Sequence, residues 1–476
     1  MTQREALEAL CTRAREHAQA TQAPVLACFA TVSGGIDPVT ELEARDARYQ
    51  QADFRFVWAR PKDGLTLAAR GAAVRFRASG PRRFHDMLEQ VETALKTAVC
   101  AQEDEADADG APYALGGFAF FDELDDSQWP GFGTAQMAVP AWMALQTNGT
   151  TRTVVSTFVQ PGDHPAQMAE FLAGQLVGPN GPPAAASGDN RETQFPARAT
   201  AFRRADEVEG HRHWLRMVRN VLAGIEAGKL SKVVLARAVD LFRSAPVSPY
   251  TTLKALRSAY PDCFSFLVDP GGGQHFMGAT PERLAKLRDG LMQFGAMAGS
   301  APRGDRSEAD DALGQHLLDD PKERHEHAIV VDAILDAIRP FGGEPELPAS
   351  PRLVKLTNVQ HLYTPISLRP QSPASLLSLL ARLHPTPAVG GFPQETALDL
   401  IRDQEDFDRG WYAGPVGWVN ARGDGEFAVA LRSGAFRDGR VRLFTGAGIV
   451  ADSDPETEYF ETQLKLQPLL SALAHG

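Results

Sequence analysis

Residues 412–420, 426–433 and 440–449 read as three strands separated by a few turn residues, with no helix between them. Strands joined so closely return antiparallel, because a parallel crossover needs a dozen residues or more. Further strands are predicted at 24–32, 54–59, 66–78, 116–122, 151–159 and 232–242, and helices at 4–20, 82–99, 164–177, 208–227, 321–339 and 373–383. Runs of strands mixed with helices, rather than regular alternation, place the chain in the α+β class.

Residues 178–190, GPNGPPAAASGDN, carry Pro, Gly, Ala and Ser without an apolar period and read as a linker. The chain thus divides into a strand-rich segment at 1–177, a connection at 178–204 and a second region at 205–476. The net charge of −12 argues against nucleic acid or an anionic membrane as partner. Cys11, Cys28, Cys100 and Cys263 show neither CxxC nor Cys/His ligand spacing and read as buried thiols. The first twenty residues lack an apolar targeting core, and no apolar run is long enough to span a bilayer, so a cytoplasmic location is expected.

Candidate chemistry gathers in a few stretches. In LFTGAGIVADSDPETEYFETQLKL (443–466), Gly446 and Gly448 predict a turn whose amides form a nest for an anion. A helix then begins, with Ser453 or Asp454 as cap and Pro455 in the first turn. Glu458, Glu461 and Lys465 share one face of it, which suits either a cation site or a solvated surface. KERHEHAIVVDAI (322–334) repeats the spacing with Glu323 and Glu326. Two such helices offer the oxygen ligands that Mg2+ takes.

Lys232 heads a β-branched strand on the face of Val234 and Ala236, either as a desolvated base or as a strand end in water. Glu282, beside a Pro turn, is a general acid if burial raises its pKa and an ion-pair partner if not. His361 fits a core histidine satisfied by backbone. Tyr412 and Arg432, read as lying on separate strands, can together clamp an acidic group.

Five ordered motifs, SKVVLAR, GATPERL, AGSAPRG, DRGWYAGPVGW and TGAGIVADSDPETEYFETQLK, together resemble the chorismate-utilising family. That family comprises isochorismate synthases, salicylate synthases, anthranilate synthase large subunits and aminodeoxychorismate synthases. The resemblance covers about residues 205–470, with GGFAFFD (116–122) its main N-terminal trace. It implies a large antiparallel-sheet sandwich with outer helices, whose sheets the N-terminal segment completes. Within the family the sequence is most similar to isochorismate synthases, which convert chorismate to isochorismate. The discriminator is Ala388 in LHPTPAVGGFP, where anthranilate and salicylate synthases usually carry Thr.

By the same resemblance, Lys232 is the base that activates water and Glu282 the acid at the departing hydroxyl. Glu326 and Glu461 bind Mg2+, with Glu323 and Glu458 holding its waters. Gly299, Ser300 and His361 line the ring pocket, with Ala388 in its wall. Tyr412, Arg432, the Gly446, Ala447 and Gly448 amides and Lys465 hold carboxylates. Many relatives have Thr at Ser300, which keeps the hydroxyl. The chain lacks the LLES stretch used for tryptophan feedback and any Cys/His pair for releasing ammonia from glutamine, so no glutaminase partner is expected. A monomer or homodimer is expected. The competing readings are a salicylate synthase, which would go on to eliminate pyruvate, and a silent binding homologue.

Overall fold

The structure, a computed structural model, describes residues 2–49, 53–102, 111–178, 203–204, 207–242, 247–372, 374–437 and 439–475. Strands Leu65–Ala78 and Ala135–Thr147 pair along nearly their whole length and form the spine of the molecule. The register shifts between Ala72 and Val74, beside Gly71 at φ +66° and opposite Pro140, which has no N–H to give. A bulge with a proline partner bends both strands. Each spine strand therefore contributes to two leaves of sheet, as in packings where strands switch layers at bends.

One leaf runs from Ala135–Thr147 through Tyr113–Phe118, Pro415–Asn420, Gly425–Val429, Arg283–Arg288, Leu291–Pro302 and Val359–Leu368 to Arg352–Lys355. The other runs from Leu65–Ala78 through Arg55–Arg60, Phe264–Asp269, His275–Thr280, Ser433–Arg437 and Arg440–Ile449 to Lys232–Phe242. Strands Thr150–Val159, Val25–Ser33 and Val99–Gln102 extend it past the spine, and the last pair is parallel. The architecture is the expected α+β sandwich. Strands from before and after the 178–204 connection lie side by side in both leaves. That connection, apart from Gly178, Arg203 and Arg204, lies outside the described residues.

Between the leaves sits an apolar core that includes Trp58, Phe118, Trp129, Phe132, Phe276, Trp411 and Phe444. Rings of Trp129, Phe132, Phe276, Trp411 and Phe444 touch one another edge-on or stacked. A second cluster lies under helices Gln3–Thr21, Pro165–Leu176, Pro249–Ala259 and Pro455–His475, where Leu10, Leu172, Leu253 and Leu466 bury. Fully burying such a side chain contributes about 1.5–3 kcal/mol.

Several sequence boundaries move. The 82–99 helix stops at Lys96, and residues 99–102 pair as an edge strand instead. The 373–383 helix starts at Leu376, where the Ser375 hydroxyl caps it. The cysteines are not uniformly buried: Cys11, Cys28 and Cys263 are, whereas Cys100 is exposed on that edge strand. Among the described residues no helix is long and apolar enough to cross a membrane.

Candidate active site

The chain passes from one leaf to the other between His275–Thr280 and Arg283–Arg288, and back between Gly425–Val429 and Ser433–Arg437. Glu282 lies in the first crossing and Arg432 in the second. The crossings hold each other through backbone bonds, Val429 N–H to Glu282 O at 3.0 Å and Ala279 N–H to Arg432 O at 3.3 Å. Arg432 has a left-handed backbone, φ 48°, as the sharp redirection requires. Neither Arg432 nor Tyr412 is on a strand, contrary to the expectation from sequence: Tyr412 occupies the turn just before Pro415–Asn420. The seam between the leaves opens there into a cleft of about 940 Å³.

That cleft is lined by Glu282, Gly299, Ser300, Glu323, Glu326, His361, Ala388, Tyr412, Arg432, Gly446, Ala447, Gly448, Glu458, Glu461 and Lys465. Lys232 stands just behind the lining, with its ammonium nitrogen 2.8 Å from Glu326 Oε1. Gly448 makes this approach possible. A Cβ there would fall 2.6 Å from Glu326 Oε1 and 3.4 Å from Lys232 Cε.

Gly446 and Gly448 do not form a turn. They belong to strand Arg440–Ile449, opposite Ala236 and Val234 of the Lys232 strand. Ala236 N–H donates to Glu405 at 2.7 Å and Val234 N–H to Gly390 O at 2.8 Å, both away from this neighbour. In an antiparallel pair, Gly446 and Gly448 then direct their own backbone groups off the opposite edge. Lys465 donates to Gly446 O there at 3.1 Å. An open strand edge thus takes the place of the expected nest.

Four carboxylates face the cleft from two helices. Asp320 caps helix Pro321–Ile338 by accepting from the Lys322 and Glu323 amides, which sets Glu323 and Glu326 in its first turns. Asp454, rather than Ser453, caps the last helix: its Oδ1 accepts Thr457 N–H at 2.8 Å, and the Ser453 hydroxyl accepts Val450 N–H instead. Burial, then the charge of Glu326, pushes Glu323 up to about 7, against the pull of Lys322. Burial, then Glu461, likewise lifts Glu458 to about 7. Burial also acts on Glu326, but Lys232 beside it, with Lys465 and Lys322, more than offsets it and leaves that carboxyl below its ordinary range.

Three lysines are interleaved with these acids. Besides the Lys232 pair, Lys465 Nζ is 2.5 Å from Glu461 Oε1, and Lys322 Nζ lies 3.6 Å from Glu458 and 3.7 Å from Glu323. Among the described residues, no three acidic, His or Cys side chains converge closely enough to hold a metal as they stand. The donor set is nevertheless of the kind a hard cation takes: the carboxylate oxygens come from two helices, and burial followed by mutual repulsion already lifts two of the acids.

Glu282 is buried in the wall of the cleft. Burial pushes its carboxyl up to about 8, although Lys232 and Lys465 pull the other way. Arg432 is buried and among the described residues makes no ion pair; its guanidinium donates at 3.0 Å to His361 Nε2. His361 Nδ1 lies 3.2 Å from Gly299 O and 3.0 Å from Ser300 Oγ. A carbonyl accepts only, so the imidazole carries its proton on Nδ1 and accepts on Nε2. Burial and then the Arg432 charge hold His361 well below its usual pKa, in keeping with a neutral ring. Tyr412 stacks on Phe444, ring centroids 5.2 Å apart.

Two charged lining residues, Lys322 and Arg409, went unrecognised in the sequence. Lys322 precedes Glu323 directly, but a search for paired carboxylates passes over it. Arg409 lies in the DRGWYAGPVGW motif and ties three segments together, donating to Glu405 at 2.8 Å, Val389 O at 2.9 Å and Val234 O at 2.7 Å. It thereby fixes the loop bearing Ala388 against the Lys232 strand. Its place in the motif was the available signal.

The family described as chorismate binding enzyme matches residues 11–474, and the chain belongs to that family. The match reaches far N-terminal of the motif region at 205–470. The chain is 35% identical to a salicylate biosynthesis isochorismate synthase of Pseudomonas aeruginosa, over 98% of this chain and 94% of that protein. It is 36% identical to isochorismate synthase MenF of Bacillus subtilis, over 94% and 93%. The fold matches the solved structure of MenF, the menaquinone-specific isochorismate synthase from Escherichia coli, with TM-score 0.75 and 25% identity over 97% of this chain and 99% of that one.

Proposed function

We propose that this protein is an isochorismate synthase, an isomerase that adds water at C2 of chorismate while the C4 hydroxyl leaves and the ring double bonds shift. The observation that carries this reading is Glu282, a buried carboxyl raised to about 8 that lines the same cleft as Glu326, the ion-pair partner of Lys232. At neutral pH such a group holds the proton that a departing hydroxyl needs. Lys232 acts as the base toward water. Arg432, a buried cation without a carboxylate partner among the described residues, receives a substrate carboxylate with the help of Tyr412 and of the open edge at Gly446–Gly448. Held this way, the reacting carbons meet acid and base in fixed positions.

Mg2+ belongs with this reading: Glu326 and Glu461 would bind it, with Glu323 and Glu458 holding its waters, and its charge would neutralise the ring carboxylate. Ala388 leaves the wall beside the ring small and apolar, which favours release of isochorismate over further elimination to salicylate. Relatives named for salicylate biosynthesis and menaquinone mark the two routes such a product serves. A cytoplasmic location accords with the free thiols. Incubation with chorismate and Mg2+, followed by chromatography, tests the assignment. Isochorismate as main product supports it, and anthranilate from added ammonium, or pyruvate and salicylate from the first turnovers, contradicts it.

A further inference from the structure

Cys28 and Cys100 are far apart in sequence but face each other in the parallel pairing of Val25–Ser33 with Val99–Gln102. Opposed residues on adjacent strands have Cα atoms roughly 4.7–4.9 Å apart and side chains on the same face. That lies within the span of about 4.4–6.8 Å that a disulfide bridges. The Cys100 thiol donates to Ala111 O at 3.8 Å.

The two sulfurs differ in ways that give them different roles. Cys100 is exposed on a strand whose only neighbour among the described residues is Val25–Ser33, and the Arg13 guanidinium reaches its carbonyl at 3.4 Å. Cys28 is buried next to Ser156, its opposite number on Thr150–Val159. The neighbouring Cys28 thiol, then the Arg13 charge, lowers the Cys100 thiol against burial, whereas Cys28 is raised. Cys11 and Cys263 are each buried without a second thiol beside them among the described residues, and burial pushes each up to about 11. An exposed, acidified thiol beside a second thiol is the arrangement that reacts with oxidants.

We propose that Cys100 and Cys28 form a redox-active dithiol, a modification site for hydroperoxides, in which Cys100 attacks and Cys28 resolves. The Cys100 thiolate displaces water from hydrogen peroxide as the O–O bond breaks, with one proton taken up, and becomes a sulfenic acid. The Cys28 sulfur then attacks that sulfur, and the hydroxyl leaves as a second water with the Cys28 proton. In sum two thiols and one peroxide give one disulfide and two waters, the sulfurs supplying both electrons. The bridge pins the edge strand to its neighbour.

The test treats the full-length protein with one equivalent of hydrogen peroxide, then maps peptides without reduction. The expected result is a linked pair of peptides containing Cys28 and Cys100, two hydrogens lighter than their sum, with two of the four thiols lost and restored by dithiothreitol. In Cys28→Ser, Cys100 should instead be trapped by dimedone as a sulfenic acid. Retention of all four thiols, oxidation of Cys100 to the sulfinic acid with Cys28 still reduced, or preferential labelling of Cys11 or Cys263 would each overturn the proposal.

Discussion

Lys232 Nζ, behind the cleft, and Glu326 Oε1, in its wall, stand 2.8 Å apart, so the proposed base is ion-paired with a proposed metal ligand. Removing the lysine takes away the proton acceptor and leaves a buried carboxylate without its countercharge. Lys232→Ala should lose about 10²–10⁴ in kcat, the usual contribution of general acid–base catalysis. Lys232→Arg keeps the charge but cannot give up its proton, and should be as slow. Stopped-flow and steady-state assays check both, and an arginine variant within a few-fold of the parent would place the base elsewhere.

Glu282 makes activity and stability depend on pH. Its folded pKa of about 8 lies above the ordinary 4.5. Below pH 4.5 the carboxyl is protonated in both folded and unfolded chains, and its contribution to stability is at its best. As pH rises toward 8 the unfolded chain ionises first, so stability declines across that window, by roughly 1.4 kcal/mol for each pH unit crossed. Glu282→Gln should therefore be inactive yet melt higher than the parent, with the gap widest above pH 8. In the parent, kcat should fall as pH rises through about 8. A variant whose melting advantage does not grow with pH would show that the carboxyl is not held protonated.

The carboxylate pairs give a separate prediction. Glu326→Gln or Glu461→Gln should weaken Mg2+ and chorismate binding together, measured by calorimetry with each ligand alone and with both. Neither variant should unfold, since Glu461 is only part-buried and Glu326 faces the cleft. Unchanged Mg2+ affinity in both would reduce the four acids to partners of Lys232, Lys322 and Lys465.

Arg432 and His361 act as a unit. With the Nε2 acceptor removed, His361→Phe leaves the guanidinium free to turn, so KM for chorismate should rise about tenfold while Arg432→Ala raises it further. Equal effects on kcat alone would move the carboxylate site away from Arg432.

The sequence made the fold class readable because consecutive strands leave no room for parallel crossovers, and the motif residues proved to share one cleft. What it hid depends on long-range register. Nothing local to 445–448 shows that the Lys232 strand continues alongside, so the glycines looked like a turn. Arg432 and Tyr412 looked like strand residues because apolar residues flank them, whereas the crossing between the leaves sets the Arg432 backbone and a turn sets that of Tyr412. The Cys28–Cys100 pairing escaped notice for the same reason, since partners distant in sequence meet only in the assembled sheets.

Ala388 governs what happens after isochorismate forms. Ala388→Thr should raise the fraction of turnovers that yield pyruvate, because a hydroxyl in that wall can hold the intermediate for elimination. Coupled pyruvate assay of parent and variant decides it, and an unchanged pyruvate fraction would move the control of release to another part of the cleft.

The most direct measurement is conversion of chorismate by the purified protein with Mg2+ in 18O-labelled water, with mass analysis of the product at early times. Water addition at C2 assisted by Lys232, and departure of the C4 hydroxyl as water with the Glu282 proton, predict isochorismate carrying one 18O at C2. Unlabelled isochorismate, a salicylate and pyruvate mixture from the outset, or no conversion at all would contradict the account.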